Sequence, residues 1–396
     1  MKKLFYVLLF LLLLFCSFFF FKKNDDQNTV VFWTLQLSSF EKYINNIISE
    51  FEKENPKVKI QWIDVPYSEG EKRTLAAILT DNPPDLINLT PDFSLLLAQK
   101  NALYSISEDK MSAFLPSLVE MLKYNDNYFG IPFYATSAVT LFNSFLFNDK
   151  IPKTYDDLFE IIPMNGIYST MINFTENDTL LKLLNKYNIN SPETINSDEA
   201  VSFFKKIKKL YDKDYIPKES VTQTHRDSLE KYMSGKLIFL VTGANFINMI
   251  KENAPSVYHN TKVLPQLVGK SGKYDYSLMN FVIPKKSKNH EAALKFALFF
   301  TNKRNQLEFA KMTTILPVNK DALNDDYFML AKKGDIQAEA RIISAKQLNN
   351  IQPPLKNIKN KKELNTLSSN YVQEILINNA SIKETLDIFA QNWEKL

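Results

Sequence analysis

The chain has 396 residues, of which 45% are hydrophobic, 13% aromatic and 23% charged, and its formal net charge is +4. This composition is that of a globular protein and implies no basic surface for nucleic acid. Because the sequence has only 8 glycines and contains neither G-x-x-x-x-G-K-[ST] nor G-x-G-x-x-G, we expect no glycine-rich phosphate-binding loop.

Two lysines precede an apolar run, Leu4 to Phe21, that contains the one cysteine of the chain, Cys16. A short cationic segment before an apolar run is typical of a secretory signal, so residues 1–23 are predicted to be a signal peptide or a membrane anchor. The residues before Cys16 resemble an imperfect bacterial lipobox, which favours lipidation of Cys16. The alternative is an uncleaved helix, since the run is about the minimum length for a membrane span. In both cases we expect the body of the protein to be exported and tethered to the membrane.

The exported part is about 370 residues long, more than one hydrophobic core usually organises, so two domains or lobes are expected. Its first segment alternates strand and helix patterns. We predict strands at 29–33, 58–62 and 85–89 and helices at 40–51 and 70–80. Ser38 and Glu41 have the spacing of a capping box at the first of these helices. Strands that alternate with helices indicate a parallel sheet with crossover helices.

The later part of the chain continues this pattern more loosely. We predict strands at 128–132, 138–142, 236–241 and 276–283, and helices at 198–211, 290–301 and 382–393. There is no internal repeat. The three tryptophans lie within strand or helix patterns and are predicted to belong to the core.

A set of short motifs recurs in a fixed order along the exported part. They are Val31–Thr34 before a helix ending at Phe51–Pro56, Pro84–Leu89, Tyr128–Pro132 leading to Leu141–Asn143, Gly235–Leu237 leading to Thr242–Gly243, and Ile283–Lys288 before Ala292–Leu294. In their order and spacing the chain resembles the extracellular solute-binding proteins of ABC importers. Within them it is most similar to family 1, the carbohydrate-binding class that includes the maltose-binding proteins.

This resemblance implies an α/β, two-lobed periplasmic-binding-protein fold (type II, or Venus-flytrap) with a hinge and C-terminal helices, which binds its ligand between the lobes. The lobe boundaries implied are 28–132 plus 263–316 for lobe 1, and 133–262 plus 317–396 for lobe 2. Prolines stand at the three expected crossings, Pro132, Pro265 and Pro317. They fit a hinge because proline restricts the backbone.

The resemblance also implies a sugar site, in which aromatic rings pack on the sugar while amides and carboxylates bind its hydroxyls. Loops at strand ends supply the candidates. The predicted ligand-binding residues are Gln36, Asp92, Tyr134, Thr136, Asn245, Phe246 and Asn280. Asp92 matches a family position where an aspartate binds sugar hydroxyls, and the alternative is an N-cap for a helix at 94–99. Thr136 stands where the family often has an acidic residue. Asn245 departs from the stacking tryptophan that is frequent in the family, and Phe246 is the candidate to replace it.

The residues favour a binding protein over an enzyme. The histidines are far apart and share no metal-ligand spacing. No pair of carboxylates is marked out for glycoside hydrolysis. We therefore expect no catalytic residue, no metal and no cofactor. The implied function is a monomeric receptor that captures a sugar or oligosaccharide and delivers it to the permease subunits of an ABC importer. Two alternatives stay open, a sensor that presents ligand to a membrane signalling partner and a glycan-acting enzyme.

Overall fold

The structure is a computed structural model that describes residues 28–355 and 360–396. The predicted signal peptide and Cys16 lie outside the described residues. The chain divides into two compact units. The first contains the described residues up to Lys110, together with Leu122–Ile131 and Asn280–Asn305. The second contains Met111–Met121, Pro132–Met279 and the described part of Gln306–Leu396. The lobe boundaries given above stay a prediction.

The strands of the described residues are numbered in chain order. They are β1 (Asn28–Leu35), β2 (Val58–Val65), β3 (Leu86–Leu89), β4 (Lys123–Tyr124), β5 (Asn127–Tyr128), β6 (Ile131–Thr136), β7 (Val139–Asn143), β8 (Phe239–Thr242), β9 (Thr261–Leu264), β10 (Ser277–Val282) and β11 (Leu316–Pro317).

The helices are numbered in the same way. They are α1 (Glu41–Glu54), α2 (Gly70–Ile78), α3 (Pro91–Gln99), α4 (Pro116–Val119), α5 (Tyr155–Phe159), α6 (Thr179–Asn185), α7 (Pro192–Ile195), α8 (Asp198–Asp212), α9 (His225–Met233), α10 (Ile247–Asn253), α11 (Pro255–Asn260), α12 (His290–Phe300), α13 (Lys303–Met312), α14 (Lys320–Leu323), α15 (Asp326–Met329), α16 (Ile336–Gln347), α17 (Lys361–Leu376) and α18 (Ile382–Glu394). None of these described helices combines the length and apolar character needed to cross a bilayer.

The first unit contains the predicted parallel sheet. Strand β1 pairs in parallel with β2 along its whole length and with β3 at Phe32 and Trp33. Strand β10 joins β3 in the antiparallel direction. Because β1 and β3 run the same way, the loops that follow them leave the sheet at one edge. Gln36 lies in the loop after β1 and Asp92 in the first turn of α3, directly after the loop that follows β3, and both are predicted site residues.

Aromatic side chains from the sheet and from α1 and α12 form the core of the first unit. Phe32 on β1 contacts Phe281 and Phe296 with ring centroids 5.5 and 5.2 Å apart. Phe51 on α1 contacts Phe296 at 5.0 Å. All four rings are fully buried. Their edge-to-face geometry is the favoured one for aromatic pairs, so helices α1 and α12 are held firmly on the sheet.

The second unit contains a three-stranded antiparallel sheet with β7 in the centre, flanked by β8 and β9. Strands β6 and β11 pair in the antiparallel direction. The buried Gln306 links β6 to the residue that follows β11. Its Nε2 donates to the Phe133 carbonyl at 2.7 Å, and its Oε1 accepts from the Val318 N–H at 2.8 Å. Helices α8, α17 and α18 pack against the three-stranded sheet in one hydrophobic cluster. The C-terminal helices are therefore part of the core of this unit.

Two local predictions are wrong. Ser38 forms no capping box, because helix α1 begins after Phe40 and has no side-chain cap. Instead Asp64 at the end of β2 accepts hydrogen bonds from the backbone N–H groups of Leu37 and Ser38 at 2.9 and 2.8 Å. The predicted strand at 128–132 is two elements, since Tyr128 belongs to a short hairpin and β6 begins only at Ile131.

Candidate ligand-binding cavity

The second unit contains a cavity of about 480 Å³, a volume typical of sites for small ligands. Its wall exposes polar and apolar surface in about equal amounts, with two tyrosine rings, several amides and hydroxyls, and charged side chains of both signs. The aromatic and charged members are Lys182, Asp275, Tyr276, Tyr327 and Arg341. Amide groups are supplied by Asn245, Asn248, Gln266 and Gln337. Such a wall can pack against an apolar ligand face and hydrogen-bond its rim.

One side of the cavity is fixed by a network of buried amides. The Ser137 hydroxyl accepts hydrogen bonds from Gln266 Nε2 at 3.0 Å and from Gln347 Nε2 at 2.9 Å, and donates to the Asp275 carbonyl. Gln347 Oε1 accepts from the backbone N–H of Gln266 at 2.7 Å. Three distant chain segments are therefore joined behind the wall, because buried amides stabilise only when their donors and acceptors are paired.

Asp275 lines the cavity with one side and contacts a buried lysine with the other. The Lys186 ammonium lies 3.1 Å from Asp275 Oδ2 and donates to the Lys273 carbonyl at 3.2 Å. Lys186 is only 1% exposed, whereas Asp275 keeps 27% of its side chain accessible. Burial lowers the pKa of the Lys186 ammonium, and the attraction of Asp275 offsets this only in part. The pair holds the carboxylate in place while leaving it accessible to a ligand.

Helix α16 presents a polar face to the cavity. Gln337, Arg341 and Ser344 are spaced four and three residues apart, so they lie on one side of the helix, and all three line the cavity. Arg341 Nε donates to the Tyr327 carbonyl at 2.7 Å, and its guanidinium carbon lies 3.7 Å from the centroid of the Tyr327 ring. This stacking orients the half-buried guanidinium group.

The loop after β8 forms another part of the wall. Gly243, Ala244 and Asn245 line the cavity there. A side chain at Gly243 would collide with Asn245 Oδ1, so the absence of a Cβ gives the Asn245 amide its position. Phe246 does not line the cavity. Its ring packs against His225, with centroids 5.4 Å apart, and against the core of the unit.

Of the predicted site residues in the second unit, the structure brings two into the cavity. Thr136 at the end of β6 and Asn245 are both exposed and line it. Tyr134 is half-buried on β6, where it contacts Phe133 and Phe309. Tyr134 and Phe246 do not line the cavity, and their role as ligand-binding residues stays a prediction.

The remaining predicted residues belong to the first unit. Gln36 is exposed and has a left-handed backbone, with φ 56°, directly after β1. Asp92 is exposed in the first turn of α3. The N-cap of that helix is Thr90, so the alternative interpretation of Asp92 as the cap residue is wrong. As ligand-binding residues, Gln36 and Asp92 stay predictions.

Asn280 is fully buried in β10. Its Nδ2 donates to Ser94 Oγ at 2.9 Å, and a Cβ added to Gly130 would lie 2.6 Å from that nitrogen. Its backbone pairs with Leu89 on β3. The amide therefore sits in a close-packed interior, and a direct role in ligand binding stays a prediction.

The wall residues that the sequence-based prediction missed include the acidic, aromatic and guanidinium side chains of Asp275, Tyr276, Tyr327 and Arg341. Asp275 and Tyr276 come just before β10, in the run Tyr274-Asp275-Tyr276. An acidic residue between two aromatic residues at the start of a strand could have indicated a sugar-binding segment. Tyr327 and Arg341 carry no local signal, because they lie in helices near the C-terminal part of the chain. Within the part of the chain that the structure describes, no cluster of three or more His, Cys, Asp or Glu side chains could hold a metal ion.

Comparisons with known proteins agree with this architecture. The galactooligosaccharide-binding protein of Bacillus subtilis (strain 168) is 21% identical over 372 residues, which covers 88% of this chain and 85% of that protein. A structure from Synechococcus sp. MITs9220, proposed to be an oligosaccharide periplasmic-binding protein, matches with a TM-score of 0.80 and 26% identity over 92% of this chain and 98% of its own.

The structure of the sugar-binding protein MalE from Xanthomonas citri matches with a TM-score of 0.75 and 16% identity, and the match covers 93% of this chain and 97% of that one. The predicted periplasmic-binding-protein fold is thereby confirmed. The model of the bacterial extracellular solute-binding proteins matches residues 46–334. This match also confirms the resemblance found in the sequence: the chain belongs to the family of bacterial extracellular solute-binding proteins.

Proposed function

We propose that this receptor binds a sugar or oligosaccharide outside the cytoplasm and delivers it to the permease subunits of an ABC importer. The observation that carries the proposal is the cavity wall, where the rings of Tyr276 and Tyr327 occur together with amides and the Asp275 carboxylate. Rings pack on the apolar face of a pyranose, while amides and carboxylates bind its hydroxyls. The relatives named for galactooligosaccharide and sugar binding support the same ligand class.

The test is a thermal-shift screen of the purified exported part against neutral and acidic mono- and oligosaccharides, with amino acids and polyamines as controls. Ligand binding raises the melting temperature in proportion to the logarithm of ligand concentration over Kd. We expect sugars to raise it and the controls to leave it unchanged. A shift with non-carbohydrates alone would refute the sugar assignment.

A matched pair of variants connects the shift to the cavity. Tyr276→Ala removes a ring from the wall, whereas Tyr67→Ala removes an exposed ring in the first unit that does not line the cavity. We expect the first variant to lose most of the ligand-induced shift and the second to keep it. If both variants kept the same ligand-induced shift, the ligand would not bind in this cavity.

The proposal includes closure and tethering. The two lobes would be 28–132 plus 263–316 and 133–262 plus 317–396, and ligand contacts with both would favour the closed state. The receptor would act as a monomer, anchored by lipid on Cys16 or by an uncleaved N-terminal helix. Acyl labelling of Cys16→Ser separates these anchors. A lipoprotein loses its label and its processing, whereas an uncleaved anchor stays membrane-bound at unchanged mass.

A further inference from the structure

Arg341 reaches the cavity with unused hydrogen-bond donors. Its Nε donates to the Tyr327 carbonyl, and its guanidinium carbon lies over the Tyr327 ring, 3.7 Å from the centroid. The two terminal nitrogens form no ion pair or hydrogen bond with any residue in the described ranges 28–355 and 360–396. An arginine fork held in one orientation is suited to bind two oxygens of a carboxylate at once.

A second group on the same helix face also lacks a partner. Ser344 is 3% exposed and lines the cavity one turn after Arg341. Its hydroxyl has no hydrogen-bond partner among the described residues. Because a buried hydroxyl without a partner is destabilising, such groups are rare unless something else satisfies them. The Ser344 hydroxyl is therefore free to donate to an oxygen of a molecule bound in the cavity.

The other charged side chains of the cavity wall have ion-pair partners, and the partner of Lys182 is shared with Lys361. Lys182 forms an ion pair with Asp178 at 3.0 Å, and Asp275 forms one with Lys186 at 3.1 Å. Among the described residues, Arg341 has no ion-pair partner, so the cavity favours a ligand that carries a negative group.

We infer that the ligand is an acidic sugar, an oligosaccharide containing a uronic acid, whose carboxylate is bound by Arg341 with help from Ser344. This inference rests on the proposed function and narrows its substrate class. A neutral sugar would leave the half-buried guanidinium group without its counter-charge, whereas a carboxylate supplies that charge and matches the planar fork. The Asp275 carboxylate and the amides of Asn245, Asn248 and Gln337 are then available for neutral hydroxyls of the same ligand.

The test is calorimetry with galacturonic acid oligomers and galactose oligomers of equal length, which differ in the carboxylate at the sixth carbon. We expect the acidic oligomers to bind at least about tenfold more tightly, because a single hydrogen bond to a charged group changes the affinity by about that factor. Arg341→Gln should reduce affinity for the acidic oligomers by about ten- to a hundredfold and leave the neutral ones within about threefold. Arg341→Lys, which keeps the charge but not the fork, should fall between.

The matched control is Lys311→Gln. Lys311 is a second cation near the Tyr327 ring, at 5.6 Å from its centroid, but it does not line the cavity. The Lys311→Gln variant should therefore keep the preference for acidic oligomers. Ser344→Ala keeps the inference testable if Arg341→Gln fails to fold. It removes the unpartnered hydroxyl, so the fold should be kept while affinity for the acidic oligomers falls.

The outcomes separate the two proposals. Neutral oligomers that bind as tightly as acidic ones would overturn the acidic-sugar inference and leave the sugar receptor standing. A preference for sulfated or phosphorylated sugars over uronic acids would overturn the carboxylate assignment. If Arg341→Gln and Lys311→Gln lost equal affinity for the acidic oligomers, the preference would depend on the net charge of the protein. That result would also overturn the inference that Arg341 binds the carboxylate. Binding of non-carbohydrates alone would remove both proposals together.

Discussion

Asn280 in the first unit and Lys186 in the second are both buried polar side chains, but their partners differ. The partner of Asn280 is Ser94, which is itself buried, so this polar pair is closed to solvent. The partner of Lys186 is Asp275, which lines the cavity. A polar group in the interior thus marks a ligand site only where its partner keeps an accessible atom. The following predictions test that difference.

The largest effect is expected for Lys186→Met. This substitution leaves the Asp275 carboxylate without its counter-ion. We expect a loss of about 3 kcal/mol of unfolding free energy. This is the low end of the usual range for breaking a buried pair, because Asp275 is partly solvated. Chemical denaturation measures it. Lys206→Met, which breaks a surface pair with Asp156, should cost less than about 1 kcal/mol. Equal costs would mean that the burial of Lys186 is not what matters.

In the first unit, Asp92→Ala should weaken ligand binding by about 1.5–3 kcal/mol, the range for a hydrogen bond to a charged group. Because Thr90 is the N-cap of α3, removing Asp92 deletes a favourable charge in the first turn of the helix but not its cap, and should cost about 1 kcal/mol of stability. Calorimetry and denaturation of the same variant give both values. Asp81→Ala, at an exposed aspartate of the same unit, is the control and should keep full affinity.

For Asn280→Ala we expect a loss of about 1–3 kcal/mol of unfolding free energy, because the buried Ser94 hydroxyl loses a hydrogen-bond partner. If Asn280 also binds the ligand, as the sequence predicts, this variant should lose ligand affinity as well. Titration of the folded variant with ligand measures that loss separately. Affinity equal to that of the parent protein would remove Asn280 from the binding residues. Unchanged stability would contradict the closed, close-packed environment described here.

The smallest effect concerns His225, whose imidazole contacts Phe246 and the Thr242 hydroxyl. Burial lowers its pKa below the ordinary value of 6.5, although nearby Glu176 acts in the opposite direction. The unfolded chain therefore binds the proton first, and the contribution of neutral His225 to stability is lost as pH falls below 6.5. Between about pH 7 and pH 5, the parent should lose more stability than His225→Asn. His259→Asn, at an exposed histidine, should behave as the parent.

The first unit was largely predictable because its signals are local. The apolar stripe of α1 places Tyr43, Ile44, Ile47, Ile48 and Phe51 in the core, as its helical spacing predicts. The alternation of strand and helix gives the parallel order of β1, β2 and β3. The capping box at Ser38 failed because Asp64, on a different strand, already accepts from the Leu37 and Ser38 backbone, and a local pattern carries no such information.

The cavity was predictable only in part. Thr136 is the last residue of β6 and Asn245 lies in the loop after β8, and strand ends of this kind can be predicted from the sequence. Arg341 and Ser344 lie on a helix whose polar face becomes functional only because the fold brings Ser137, Gln266 and Gln347 behind the same wall. Contacts between such distant segments leave no periodic pattern in the sequence, so this half of the site needed the structure.

The close approach of Gly243 to Asn245 has a consequence for how such receptors diversify. Any side chain at position 243 would displace the Asn245 amide, and the obstacle is the end of a flexible side chain rather than backbone. The fold would therefore tolerate the change while the hydrogen-bonding pattern of the cavity is altered. After gene duplication, one substitution at this position could shift the ligand range of a copy while every polar side chain of the wall is kept. Position 243 is thus a place where natural selection, or an engineer, could retune specificity in a single step.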